Sequence, residues 1–296
     1  MNKVLQDFVG RYKEKVDLGI ARELEWRLEE VKEISPYLTP IVTAMKELSV
    51  GGKRLRAMLV ILGYELSNNE VNDEVIKAAV VMEIFHLGLL IQDDFMDRDM
   101  VRRGVPTMIA RYENKHVGNF ISMLAGDYTF GWGIEILSSL RLETRRVNEA
   151  LGVWGKYFTR VGYGQTLDGL DIADDETILK ILSIKSGEYS CVLPLLLGAT
   201  LGGADKRLLD ILEKYGMELG WVFQLRDDWL AEYGDTNKTG KPVGNDSREG
   251  KRTFATMYGK EKVEVEIVRH WEEGKKWAEQ DKKLLGSLEW MATREN

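Results

Sequence analysis

The longest apolar stretch of the chain follows Asn72-Asp73-Glu74 and runs through VIKAAVVMEIFHLGLLIQDDFMDRD, greasy on every face and without strand-like alternation. An element that is hydrophobic all round belongs inside a protein, so this predicts a central helix with an N-cap at Asn72. Residues 118–141 and 151–171 read similarly, with Gly126, Gly131, Gly133, Gly162 and Gly164 placed where helices can approach closely. Each helical glycine costs roughly 0.5–1 kcal/mol relative to alanine, so their number implies a packing or ligand-approach reason. Residues 176–201 and 207–233 supply two more helices, and 255–293 is amphipathic and highly charged. Only five prolines interrupt 296 residues, and β-branched alternating runs are scarce. The pattern predicts an all-α chain. Without a linker, composition shift or repeat, it predicts one helical domain over 1–296.

Composition narrows the chemistry. The chain is 44% hydrophobic and 30% charged, with a formal net charge of −7, which argues against a nucleic-acid footprint. The start, MNKVLQDFVGRYKEK, has charges where a secretory signal needs an apolar core. Apolar runs break well before the roughly 18 residues of a membrane span, so no transmembrane segment is expected. Cys191 is the only cysteine, which excludes an internal disulfide and a cysteine-built metal site and suits a reducing cytoplasm.

The chemistry-bearing residues cluster. The central helix ends in Gln92-Asp93-Asp94-Phe95-Met96-Asp97-Arg98-Asp99, where Asp93 and Asp97 stand one turn apart on one face. Like charges so placed repel unless something positive sits between them. Mg²⁺ suits that job, being held by one or two carboxylates plus waters and phosphate oxygens. A second acidic pair, Asp227-Asp228, closes the apolar run Phe223-Gln224-Leu225-Arg226. Three basic clusters accompany them: Gly51-Gly52-Lys53-Arg54-Leu55-Arg56, Arg102-Arg103-Gly104, and Lys241 with Lys251-Arg252. Acidic metal ligands facing Lys and Arg beside glycines have the composition of a diphosphate site. It is not a Walker loop, because no strand precedes a Gly-x-x-x-x-Gly-Lys-Ser/Thr turn.

These boxes, in this order, resemble the trans-isoprenyl diphosphate synthases, the farnesyl and geranylgeranyl diphosphate synthase family. GGKRLR, DDFMDRDMVRRGVPT, GQTLDGLD, KSGEYS, FQLRDDWLAEYGD and TGKPVGNDSREGKRT all lie within residues 51–254. The resemblance implies an orthogonal helical bundle of the isoprenoid synthase type around a deep central cavity. It implies a cytoplasmic homodimeric prenyltransferase that condenses isopentenyl diphosphate with an allylic diphosphate. Position by position, it implies that Asp93, Asp97 and Asp227 hold Mg²⁺, with Asp94, Asp168 and Asp228 in or beside the shell. Three ions per site are implied, with Mn²⁺ as a substitute. It implies that Arg102, Lys185, Lys241 and Lys251 grip the allylic diphosphate, and that Lys53, Arg56, His86 and Arg103 hold that of isopentenyl diphosphate. Gln224 and the backbone near Lys185 would stabilise the allylic cation.

Two positions depart from the family pattern. Ala57 stands where proline usually follows the first basic box, and Ala231 stands where the second acidic motif usually ends in aspartate. The second departure keeps open a noncatalytic subunit that modulates a partner synthase, and the shared helical fold and aspartate-rich motif keep open a class I terpene cyclase. A cyclase needs no isopentenyl site, yet GGKRLR is present. Product length should follow from bulk upstream of Asp93, because a helical turn rises about 5.4 Å, close to one isoprene unit. Gly88 and Leu89 then leave the tunnel open, and Phe85, one turn deeper, forms its floor, alone or with Met82 or a residue of the 118–133 helix. The expected product is geranylgeranyl diphosphate, with geranylfarnesyl and farnesyl diphosphate on either side.

Overall fold

Twelve described helices carry the chain in the computed structural model, which describes residues 3–170, 174–235, 244, 247–248, 250, 252–279 and 281–294. They are α1 (Lys3–Ile34), α2 (Thr39–Ser49), α3 (Leu55–Leu66), α4 (Asp73–Asp97), α5 (Lys115–Ser138), α6 (Thr144–Gly169), α7 (Asp175–Leu182), α8 (Leu193–Leu201), α9 (Lys206–Tyr233), α10 (Phe254–Tyr258), α11 (Lys260–Ala278) and α12 (Lys282–Thr293). A π-helical segment, Ser183–Val192, joins α7 to α8. The all-α reading holds, and no described helix is long and apolar enough to cross a membrane.

α4 begins as its sequence dictates. The Asn72 side chain accepts hydrogen bonds from the Glu74 and Val75 amides at 3.0 and 3.1 Å, satisfying two donors of the first turn. Its buried residues, from Val75 through Phe85 to Ile91 and Asp94, lie against α1, α3 and α5, so the central position is real. The crossing with α5 is very close: a Cβ at Gly88 would fall 2.0 Å from Thr129 Oγ1. A second close crossing joins α9 to the π segment, where a Cβ at Gly220 would fall 2.3 Å from the Gly187 Cα. That approach brings Gln224 beside Ser186.

Three features depart from the sequence reading. The run 176–201 is helical but contains the π segment, whose wider turn shifts the register of every side chain after it. The charged stretch 255–293 is broken into α10, α11 and α12, because Gly259 takes φ +79° and Asp281 starts a new cap on the Lys283 and Leu284 amides. Finally, Val101–Arg102 and Val105–Pro106 form a two-residue antiparallel pair. Arg103 and Gly104, at φ +52° and +80°, make its tight turn. This hairpin fixes where the two arginines project.

The candidate active-site cleft

The C-terminal end of α4, the hairpin, the start of α3, the π segment and the end of α9 converge on two adjoining chambers. The first, of about 370 Å³, has apolar walls from Leu89, Leu90, Phe158, Val161 and Phe223 and a polar rim of Asp93, Gln165, Lys185 and Gln224. The second, of about 500 Å³, is lined by Lys53, Arg56, Arg102, Arg103 and Arg294, with Asp227 and Glu83 as its carboxylates. Arg56, His86, Leu90 and Phe223 belong to both and form the shared wall.

At the rim of the first chamber, Asp93 accepts a hydrogen bond from Gln165 Nε2 at 3.2 Å and lies 3.9 Å from Lys185 Nζ. Lys185 in turn donates to Asp168 at 2.5 Å, so one ammonium stands between carboxylates from α4 and α6. Asp97, one turn beyond Asp93, has its carboxyl held above the ordinary range by partial burial and by the charge of Asp93, with Asp99 and Asp168 adding to it. One lysine does not neutralise this rim. Asp94 points inward: Arg102 Nε and Nη2 both reach its Oδ1 at 2.6 Å, while its buried Oδ2 has no partner among the described residues. Burial pushes its carboxyl up to about 6 despite the arginine.

The second chamber is perturbed in the opposite sense. Desolvation and the charges of Arg54, Arg102 and Arg56 hold the Arg103 guanidinium below its ordinary value. His86 is held well below 6.5 by burial, then by Arg56, Arg103, Arg102 and Arg54. Lys53, above the Trp290 ring, is lowered by desolvation and by Arg294. Arg54 also lines this chamber but is already paired, with Asp17 at 2.6 Å and with the buried Glu83 at 3.5 Å. Glu83 also accepts the Ala57 amide at 3.1 Å. A proline at position 57 has no such donor, so the alanine here is matched by an added hydrogen bond at the start of α3.

Several assignments made from the sequence land elsewhere. Asp93 and Asp227 do not rim one chamber: Asp227 lines the second, where Arg294 Nη2 pairs with it and also donates to the Phe223 carbonyl at 3.0 Å. Asp228 is buried with both oxygens engaged, accepting from Gln224 Nε2 at 2.7 Å and from the Phe254 amide at 2.8 Å. It therefore orients Gln224 and starts α10 instead of facing a metal. Arg102 lines the second chamber while reaching Asp93 and Asp94, so it bridges both sites. Leu89 is in the first chamber's wall, but Gly88 is not, being packed on Thr129 of α5. Phe85 lies behind the wall, its ring 5.5 Å from Phe158 and 4.6 Å from Trp154. Phe158, stacked on Phe130 at 4.0 Å, is the aromatic ring of this cluster that lines the cavity alongside Tyr189. Lys241 and Lys251 lie outside the described residues.

The sequence reading missed Gln165, Phe158, Tyr189 and Arg294. Gln165 and Tyr189 sit inside boxes already singled out and could have been tested for a role. Arg294 carries no local signal, since its partner Asp227 is distant in sequence.

Residues 39–286 match the polyprenyl synthetase family. The chain belongs to that family. Over 235 residues it is 32% identical to a short chain isoprenyl diphosphate synthase of Methanocaldococcus jannaschii, covering 78% of this chain and 69% of that one. It is 34% identical over 248 residues to a geranylgeranyl diphosphate synthase of Methanosarcina mazei, covering 81% and 71%. A crystal structure of a Corynebacterium glutamicum geranylgeranyl pyrophosphate synthase, complexed with isoprenyl diphosphate and magnesium, superposes with a TM-score of 0.83 at 26% identity, over 97% of this chain and 98% of that one. The family resemblance drawn from the ordered boxes is thereby borne out. Within this polyprenyl synthetase site, the fit to a divalent metal can be tested on the donors alone. No group of three or more His, Cys, Asp or Glu forms a metal cage among the described residues. Asp93, Asp97 and Asp168 instead leave a negative rim at the chamber mouth, which suits a hard cation that brings phosphate oxygens as its remaining ligands.

Proposed function

We propose that this chain is a Mg²⁺-dependent short-chain isoprenyl diphosphate synthase that elongates an allylic diphosphate with isopentenyl diphosphate, giving mainly geranylgeranyl diphosphate. One observation carries the reading: a greasy chamber with an acidic rim shares a wall with a chamber lined by six Lys and Arg side chains. The first suits a hydrocarbon chain whose diphosphate arrives with cations; the second suits a diphosphate bound by side chains directly.

Asp93, Asp97 and Asp168 would hold magnesium, which when bound would supply positive charge against the leaving diphosphate. Lys185 adds a cation at the same rim. Leu89, Leu90, Phe158, Val161 and Phe223 exclude water from the allylic cation left behind. Gln224, fixed between Ser186 Oγ and Asp228, keeps its amide dipole oriented toward that space. The double bond of isopentenyl diphosphate then attacks, and the proton lost passes to the released diphosphate.

We also propose one domain and a homodimer. The α5 stripe Phe120, Met123, Leu124 and Ile134 is exposed and apolar, as a covered face would be. A cytoplasmic home suits Cys191, which is buried with its thiol pushed up to about 12.

The test is incubation of the purified chain with Mg²⁺, isopentenyl diphosphate and each allylic primer in turn, followed by chromatography. A C20 diphosphate is expected. A cyclic hydrocarbon would make it a cyclase, and no product with any primer would make it a noncatalytic subunit.

A further inference from the structure

Tyr189 lies in the π segment with its ring edge-on to Phe85 at 5.8 Å and under the Arg56 guanidinium at 4.9 Å. Its hydroxyl oxygen is 3.2 Å from His86 Nδ1. The next residue, Ser190, accepts from Arg56 Nη2 at 2.7 Å and donates to the Lys185 carbonyl at 3.1 Å. Consecutive residues of one turn therefore hold the two side chains, Arg56 and His86, that form the wall between the chambers.

The contact with His86 has a direction. The imidazole is neutral, since burial and four nearby arginines hold it well below 6.5, so it carries one N–H and one lone pair. Burial raises the Tyr189 phenol, which keeps its hydrogen. Arg56 can only donate, so it can serve the phenol oxygen but not the phenol hydrogen. Among the described residues His86 Nδ1, at 3.2 Å, is the contact of the hydroxyl that has a lone pair to offer that hydrogen. A hydroxyl donating to Nδ1 requires the lone pair there and places the imidazole hydrogen on Nε2.

We propose that Tyr189 is a positioning residue that fixes His86 as its Nε2–H tautomer, so that the imidazole presents a donor to the basic chamber. Tyr189 lines only the first chamber whereas His86 lines both, and Arg103 and Arg102 of the second chamber act on its imidazole. A neutral donor adds a hydrogen bond to an anion without placing another desolvated cation among the arginines. The other tautomer would aim a lone pair at the anion and repel it. This purpose rests on the reading of the basic chamber as the isopentenyl diphosphate site.

With only His86, His116 and His270 in the chain, ¹⁵N-histidine labelling gives three resolvable imidazoles, and His86→Gln assigns the one in question. The wild-type protein should show the Nε2–H pattern for His86 before any ligand is added. Tyr189→Phe keeps the ring packing and removes the hydroxyl; a mixture of tautomers should appear. Its KM for isopentenyl diphosphate should rise about tenfold, the usual scale of a hydrogen bond to a charged group, with the KM for the allylic primer unchanged. An Nδ1–H pattern in the wild type, or an unaltered tautomer in Tyr189→Phe, overturns the proposal. Inorganic diphosphate added to the wild type separates the two layers. A shift of the His86 Nε2 signal supports the donor role, whereas an Nε2–H ring that does not respond overturns the chamber's assignment to diphosphate and not the tautomer.

Discussion

The two chambers share Arg56, His86, Leu90 and Phe223, yet their charged groups are disturbed in opposite senses. At the first, Asp97 is pushed up by partial burial and by neighbouring carboxylates that Lys185 does not offset. At the second, Arg103 is pulled down by desolvation and by neighbouring arginines that Glu83 does not offset. In each case burial acts first and like charges around the group add to it. The difference teaches how one fold can handle two diphosphates in two ways: one through a cation at an acidic rim, the other through guanidinium and ammonium groups alone. On the proposed reading, two substrates with the same head group are kept in separate places.

The comparison breaks most sharply at Asp93. Asp93→Asn keeps the side chain's size but removes the charge nearest Lys185 and Gln165, and kcat should fall by about 10²–10³, the scale of a lost electrostatic contribution to the transition state. Calorimetric binding of isopentenyl diphosphate should barely change, because Asp93 does not line the basic chamber and Arg102, which reaches it at 3.7 Å, keeps its 2.6 Å contact with Asp94. Equal losses in both would mean that the chambers are one site.

The fold was largely readable. An uninterrupted apolar run after an Asn cap could be little else than the buried α4, and two Asp pairs at the ends of greasy helices pointed to the cleft. What was not readable is which face of α4 meets which neighbour. When a helix is buried nearly all round, a 3.6-residue period marks no face as special, so Gly88 and Leu89 looked equivalent. Only α5, with Thr129 against Gly88, separates them. The π segment hid Tyr189 and Ser190 for a related reason: an extra residue in a turn redirects side chains that an α-helical count places elsewhere. Arg294 reached Asp227 through tertiary folding that no local pattern encodes.

Gly88→Phe sharpens the same lesson. A phenyl group cannot enter the α4–α5 crossing without moving a backbone, so the variant should lose about 3 kcal/mol or more of stability, as overpacked cores do. Its urea midpoint should drop accordingly. A stable variant that simply makes a shorter product would mean that Gly88 faces the chamber after all. Arg103→Ala tests the basic side: KM for isopentenyl diphosphate should rise about tenfold or more, with the primer's KM and the product length constant. Phe158→Ala probes the floor of the greasy side. Removing the ring that lines the cavity should lengthen the product by one isoprene unit, read by chromatography, whereas Phe85→Ala should mainly destabilise the core behind it.

The smallest expected effect concerns the shared wall, where the positive field of the basic chamber acts on His86. In the unfolded chain this histidine takes a proton near pH 6.5; in the folded one, burial and the arginines keep it neutral to much lower pH. As the pH falls below about 6.5 the unfolded chain therefore binds more protons than the folded one, and stability declines with a slope of at most ~1.4 kcal/mol per pH unit until the folded value is reached. Between pH 7.5 and 5.5 this single group should cost about 1 kcal/mol of folding free energy. Paired urea titrations of the wild type and His86→Gln isolate it, since every other titrating group is common to both proteins. The wild type should lose about 1 kcal/mol more than the variant over that interval. Identical losses would show that the imidazole is not held neutral. The wall would then be too wet for the arginines to act on it, and the electrostatic separation of the two chambers would fail at the place where they meet.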